Sequence, residues 1–258
     1  MVGIGGLVAE PPRYRVELLS CAVFQETVRT TIRGTSGSAT VVDQAGRDGM
    51  LAIRLRGAEG STLELEGWYD SLAVWRRTEA GPETADADGF LGGRYRGTLT
   101  ADGRYLSRTG PFVPDDLAQI ADLGTVLDDF LPRLPVQALA PGRDWNDGAG
   151  LVIQRLDDRR ESVGILERYR WTFAGRRGER IDAGDSAAVT LDQTVRDEGE
   201  LRWSGELGPV GWTRRIVVNA RVPATGRVRR PMHSTVEQQI TVVRRLETDL
   251  VGRVCAVR

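Results

Sequence analysis

Lysine is absent from this 258-residue chain, and all 35 of its Lys/Arg positions are arginine. That excludes a Schiff-base lysine, a phosphate-loop lysine and a Ser–Lys dyad. Histidine occurs once, as His233 in "RRPMHST". A hydrolytic triad needs a nucleophile and an orienting acid around such a base. Neither "GDSAA" (184–188) nor "GTSGS" (34–38) has the G-x-S-x-G spacing of a nucleophile elbow, so His233 reads as an exposed loop residue. One His and two distant Cys are too few for a zinc site. "DADG" (86–89) lacks the later ligands of a calcium loop and reads as a turn. No strand–GxGxxG–helix unit and no P-loop is present. Glycoside hydrolysis needs two carboxylates across a cleft, and nothing marks out a pair among the 36 acids. The expectation is a protein that is not an enzyme and uses no metal or cofactor.

Other scarcities bear on location. No run of about 18 apolar residues exists, so no transmembrane helix is expected. The opening "MVGIGGLVAEPP" lacks a basic leading region and a long apolar stretch, and does not read as a signal peptide. Cys21 and Cys255 cannot build a disulfide framework. They read as two small buried hydrophobes, unless the terminal strands are neighbours, in which case they pair.

The 31 glycines are abundant, and they fall among short alternating segments. That pattern means many turns and many strands. Tyr14, Val16, Leu18, Ala22 and Phe24 share one face of a first predicted strand. "TVRTTIR" (27–33), "GTSGSATVVD", "MLAIRLRG" and "STLELEGW" follow as separate half-buried strands. "GRYRGTLT" and "RYLSRTG" form a hairpin around "ADG", giving about seven strands over 14–110. Strands resume after residue 146. Ile165, Tyr169, Trp171 and Phe173 line one face, then Leu201, Trp203 and Leu207, then Trp212, Ile216, Val218 and Val222. "STVEQQITVVRRLE" follows, and "LVGRVCAVR" reads as a last edge strand.

Between these sets the period changes. Leu117, Ile120, Leu123, Leu127, Phe130 and Leu131 fall at helical spacing. Pro114, Asp115 and Asp116 suit the start of a helix, while Pro132 and Pro135 end it. The prediction is therefore a mainly β chain. Its core is a curved antiparallel sheet or half-open barrel of two similar lobes, with one central amphipathic helix. The expected organisation is a single domain over 1–258, with lobes at 14–110 and 147–258 and a helix and hinge at 111–146. In "FLPRLPVQALAPGRDWND" (130–147), Pro132 and Pro135 stop the helix, Pro141–Gly142 turns the chain, and Trp145 anchors the second lobe.

The residues Asp102, Gly103, Pro132, Leu134, Pro135, Pro141, Gly142 and Trp145 carry a resemblance. They resemble an uncharacterised bacterial envelope β-rich, lipoprotein-like family, in which a helix ending in P-x-L-P is followed by P-G-x-x-W. By looser analogy the chain is similar to the half-open β-barrels of bacterial lipoprotein carriers. The resemblance implies an envelope location, periplasmic or membrane-peripheral, and a curved sheet that binds an apolar ligand or lipid.

Charge supplies the alternative. Residues 1–150 carry 15 Arg against 21 acids, whereas 214–258 carry 10 Arg against 3. Such asymmetry marks a surface for an acidic protein or membrane, as on an extrinsic scaffold subunit of an envelope or photosynthetic complex. The arginines expected to form it are Arg214, Arg215, Arg229, Arg230, Arg244 and Arg245, with Trp171 and Trp203 as ligand or partner contacts. A pI near 6.0 and few aromatics in that tail argue against nucleic acid.

Overall fold

A computed structural model describes residues 10–36, 38–57, 62–124, 126, 130–183, 186–222 and 232–256. Inward apolar and outward polar residues alternate over runs far longer than the predicted segments, so pairs of predicted strands merge. Residues 22–57 form two strands, β1 (Ala22–Ser36) and β2 (Ala39–Gly57). Glycines that read as turns lie inside strands instead. A Cβ at Gly46 would sit 2.7 Å from the Trp75 ring, and one at Gly49 2.9 Å from Tyr69. These positions are cleared for an aromatic ring lying across the neighbouring strand. The first predicted strand is likewise corrected: Val16–Leu18 form a 3-10 turn and the strand starts only at Ala22.

β3 (Thr62–Thr78), β4 (Gly81–Ala85), β5 (Tyr95–Thr100) and β6 (Tyr105–Thr109) complete the first set. The second set is β7 (Asp144–Asn146), β8 (Leu151–Glu161), β9 (Gly164–Ala183), β10 (Ser186–Ser204), β11 (Gly208–Val222) and β12 (Met232–Arg245). All belong to one curved, antiparallel, unclosed sheet in the order β6-β5-β3-β2-β1-β12-β11-β10-β9-β8-β7, with β4 also on β3. The two sets meet where β1 pairs β12 from Val23↔Arg245 to Ser36↔Met232. The chain's first and last strands are therefore central, and the middle of the sequence must travel from one sheet edge, β6, to the other, β7.

That connection is not the predicted long helix. α1 spans only Asp115–Ile120, and Ala121 is already extended; Leu127, Asp128 and Asp129 lie outside the described residues. Beyond α1 the described residues form a strap that is irregular apart from a 3-10 position at Val126, with its apolar residues buried. Leu117, Ile120, Leu123, Val126, Phe130, Leu131 and Leu134 share one core with Phe24, Leu51, Tyr69, Leu201, Trp212 and Val242 on the inner sheet face. Phe130 stands edge-on to Phe24 (5.8 Å) and Trp212 (5.0 Å). Helical spacing and strap burial coincide because both return an apolar side chain to the sheet every three or four residues.

The strap's end is tied down by its own backbone. The Tyr14 hydroxyl donates to the Pro132 carbonyl (2.7 Å), and the Leu134 amide donates to the Asp102 carbonyl (2.9 Å). Gly103 has φ +82, and a Cβ there would meet Tyr14 and the Pro132 oxygen below 3.0 Å. Gly142, also at positive φ, turns the chain so that its amide reaches the Arg155 carbonyl (2.8 Å). Trp145 is half-buried against the core and pairs with Ile153. The predicted hinge is thus the anchored end of a strap.

The C-terminal segment is another correction. α2 (Thr248–Ala256) replaces the expected edge strand. It packs Val254, Leu250 and Val251 onto Val23, Ala52 and Trp68, on the opposite sheet face, as a second small core. Cys255 is thereby brought to Cys21, and the two form a disulfide with a Cα separation of 6.1 Å. The termini are neighbours, so pairing prevails over two separate buried thiols.

Candidate functional site

The strap covers only part of the inner face. Strand register lays that face out in cross-strand rows. Leu201, Trp212, Val242 and Glu26 form a row under the strap, and the next holds Gly199, Arg214, Ile240 and Val28. One row further is Asp197, Ile216, Gln238 and Thr30, and after it Val195, Val218, Val236 and Ile32. Burial falls along this series. Trp212 and Val242 are buried, Ile216, Val218 and Val236 are half-buried, and Ile32 is 37% exposed. Among the described residues the inner face therefore begins as core and ends as a partly exposed aliphatic trough.

At the boundary lies a cavity of about 390 Å³. Its floor is Trp171, Phe173, Val195, Asp197, Trp212, Arg214 and Ile216. Its walls come from the strap (Leu131, Pro132, Arg133), Gly103, and the β7–β8 connection (Asp147, Leu151). Local sequence sets the floor. Trp171 pairs with Gly199, where a Cβ would lie 2.2 Å from the indole, so only glycine lets the ring lie flat across β10. The indole N–H then donates to Asp197 (3.1 Å). Asp197 also accepts from Arg214, through Nε at 3.0 and 3.1 Å and through the guanidinium end. Both side chains of this fork are about seven-eighths covered, and a paired, hydrogen-bonded ion is the form in which charge tolerates such cover.

The remaining charges at the walls are also engaged. Asp147 accepts from the Ala149 and Leu151 amides (2.7 and 3.1 Å). Arg133 donates to Asp102 (3.0 Å), while its buried Nε has no acceptor among the described residues.

A second inward charge pair holds the strap's other end. Glu26 is 1% exposed and accepts from Arg47 Nε (2.9 Å), a second Arg47 nitrogen (3.0 Å) and the Tyr69 hydroxyl (2.5 Å). Arg47 also donates to the Asp122 carbonyl (3.2 Å), and Tyr95 to the Leu123 carbonyl (2.6 Å). Burial would lower the Arg47 pKa, but Glu26, Tyr69 and Tyr95 together raise it, so it stays cationic. Burial pushes the Tyr69 and Tyr95 phenols above their ordinary range.

The structure places the sequence-predicted residues in different settings. Trp171 and Arg214 meet in the cavity. Trp203 lies in the core, edge-on to Tyr14 at 5.4 Å. Arg215 points to the outer face, paired with Glu237 (2.9 Å) and Glu198 (3.3 Å). Arg244, its pKa lowered by burial, donates to the Leu18 (3.1 Å) and Leu207 carbonyls. Arg245 binds Gln25 (3.0 Å) and Glu247. Arg229 and Arg230 lie outside the described residues. Arg214, Arg215, Arg244 and Arg245 are thus spread over both faces and engaged within the chain. His233 is exposed, as expected, but on β12 rather than a loop.

Sequence reasoning missed Asp197, Glu26 and Arg47. Two of them carry a signal, a charge within an inward apolar alternation: Asp197 between Val195 and Leu201, and Glu26 between Phe24 and Val28.

No family model and no curated protein sequence matches the chain, so the P-x-L-P and P-G-x-x-W pattern remains a resemblance alone. Among solved structures the chain is similar to one described as lipid-protein interactions in lipovitellin, at 10% identity and a TM-score of 0.45. That match covers 88% of this chain, which spans about a quarter (25%) of the lipovitellin chain. It is also similar to an outer membrane channel from Pseudomonas putida F1, at 11% identity, TM-score 0.28, covering 95% of this chain and 100% of that one. A DUF1329 family protein from Desulfovibrio piger is similar at 10% identity and TM-score 0.13, with 86% and 85% of the two chains covered.

Proposed function

We propose that this chain is a non-catalytic envelope protein that holds an apolar ligand, a lipid acyl chain, on its inner sheet face beside the strap. The observation that carries this reading is the continuity of the site. A cavity of about 390 Å³, floored by Trp171, Phe173 and Trp212, reaches Val195, whose cross-strand row continues through half-buried Val218 and Val236 to exposed Ile32. Ligand sites of about 300–1,000 Å³ lined by apolar and aromatic groups with a few placed polar ones suit small apolar molecules. Among the described residues one curved sheet carries this face and no second sheet lies over it, which leaves it wet unless something covers it.

The disulfide supports the compartment. Cys21–Cys255 ties the first strand to the last helix, and such bonds persist in oxidising surroundings such as the periplasm. The Arg-rich tail gives the scaffold reading less support, because its outward Arg215 and Arg245 already pair with Glu237, Glu198 and Glu247.

Equilibrium uptake of a fluorescent fatty acid by delipidated protein tests the reading. Saturable binding of one equivalent is expected, abolished by Ile216→Asp in protein that keeps its far-UV circular dichroism and melting temperature. Absence of uptake by the wild type overturns it.

A further inference from the structure

The cavity's polarity and shape say which part of a ligand it reads. We infer that the trough recognises one unbranched apolar tail, inserted methyl end first towards Trp171 and Trp212, and is indifferent to the charge of the head group; this rests on the ligand reading above.

Two observations carry it. The first is charge. The ionisable side chains lining the cavity are Arg133, Arg214, Asp147 and Asp197. Arg214 is forked onto Asp197, Arg133 gives Asp102 one hydrogen bond, and Asp147 is held by two backbone amides. The lining carries as many carboxylates as guanidiniums, and the Asp102 carboxylate sits behind Arg133. Its field therefore offers an anionic head no net attraction, and breaking a covered fork to recruit Arg214 would strand Asp197. The second is shape. At the strap end the lining is closed by Leu131, Pro132, Trp171 and Trp212, all buried. At the other end Phe173, Val195 and Ile216 are half-buried and lead to the exposed Ile32. The least hydrated part of a ligand gains most by lying at the closed end, which leaves the head in water over the trough.

Size fixes the number of tails. If a methylene occupies about the same ~30 Å³ as a water in liquid, the cavity of about 390 Å³ takes roughly a dozen such groups. One chain fills it and a second must lie in the open trough.

The test is a head-group series on delipidated full-length protein, followed by tryptophan fluorescence and native mass spectrometry. Hexadecanoate, hexadecanol and palmitoyl-lysophosphatidylcholine are expected to bind one per chain, within threefold of each other, with little change between low and high salt. Hexadecanoate brominated near its methyl end should quench fluorescence more than the isomer brominated near the carboxylate, and the difference should vanish in Trp171→Phe/Trp212→Phe. Arg133 Nε is the wall donor at which head-group recognition would show, so Arg133→Met should not change the ratio of hexadecanoate to hexadecanol affinity. A tenfold or greater preference for the anion, erased by salt or by Arg133→Met, overturns the inference while leaving the ligand reading intact. So does stronger quenching from the carboxylate-end bromine. Binding by none of the three overturns both.

Discussion

Arg47 is the residue whose removal tells most about what holds the strap. It forks onto Glu26 at 2.9 and 3.0 Å and reaches the strap at the Asp122 carbonyl. Arg47→Met keeps much of the apolar stem but deletes the charge. Glu26, at 1% exposure, is then left with the Tyr69 hydroxyl alone. Breaking a buried pair from one side costs about 3–5 kcal/mol, because the survivor keeps its desolvation penalty without its partner. Losing the Asp122 contact adds about 1 kcal/mol, the net worth of an ordinary hydrogen bond. The expected loss is therefore about 4–6 kcal/mol, a large part of the whole stability of a typical protein. Glu26→Leu alone strands Arg47 and should cost a similar amount. The double variant Glu26→Leu/Arg47→Met strands neither charge. It should be far more stable than the sum of the singles implies, by several kcal/mol of coupling. Urea denaturation followed by circular dichroism measures all four corners of this cycle. Hydrogen exchange of the strap amides near residues 122–124 should accelerate in both singles. If Arg47→Met costs under about 1 kcal/mol and the effects simply add, the pair is not the buried latch described above.

Other consequences follow from the same contacts. Burial raises the phenol pKa of Tyr14, Tyr69, Tyr95 and Tyr169 above the ordinary 10.0. The folded state therefore favours their protonated form. Stability from this source is complete below pH 10 and is lost as pH rises above it; denaturant midpoints should fall above pH 10, and phenolate absorbance from these rings should appear only with unfolding. Cys21→Ser/Cys255→Ser should lower stability by about 2–5 kcal/mol, with a matching loss on adding reductant to the wild type; equal melting curves with and without reductant would contradict the pairing. Phe130→Ala removes a buried ring between Phe24 and Trp212 and should cost about 3–5 kcal/mol, measured by urea melts. Trp145 is only half-buried, so Trp145→Ala should cost roughly half of that range and leave fatty-acid uptake unchanged.

Much of the architecture was legible because inward and outward residues alternate so regularly. Val195, Val218, Val236 and Ile32 announce strands on their own. The strands' true length was hidden by interior glycines. Gly46, Gly49 and Gly199 serve rings on neighbouring strands, a requirement set by residues 20 or more positions away. The strap's apolar spacing fits a long helix, and the need to cross from β6 to β7 is what its described residues serve instead. The C-terminal helix was missed because its apolar residues also suit a strand, and the disulfide that fixes it is a tertiary fact. At the site, Trp171 and Arg214 were singled out, but for different reasons and with no sign that they share a wall. Asp197, which joins them, shows in sequence only as a charge at an inward position. The Arg-rich tail was visible as composition, whereas its division between faces depends on strand parity: Arg214 points in and Arg215 points out.

The most direct measurement is native mass spectrometry of the protein taken from its own cells without delipidation. The predicted result is a single added mass of a single-chain acyl lipid, released on denaturation and absent from Ile216→Asp. A bare chain mass that stays bare after incubation with hexadecanoate would contradict the account.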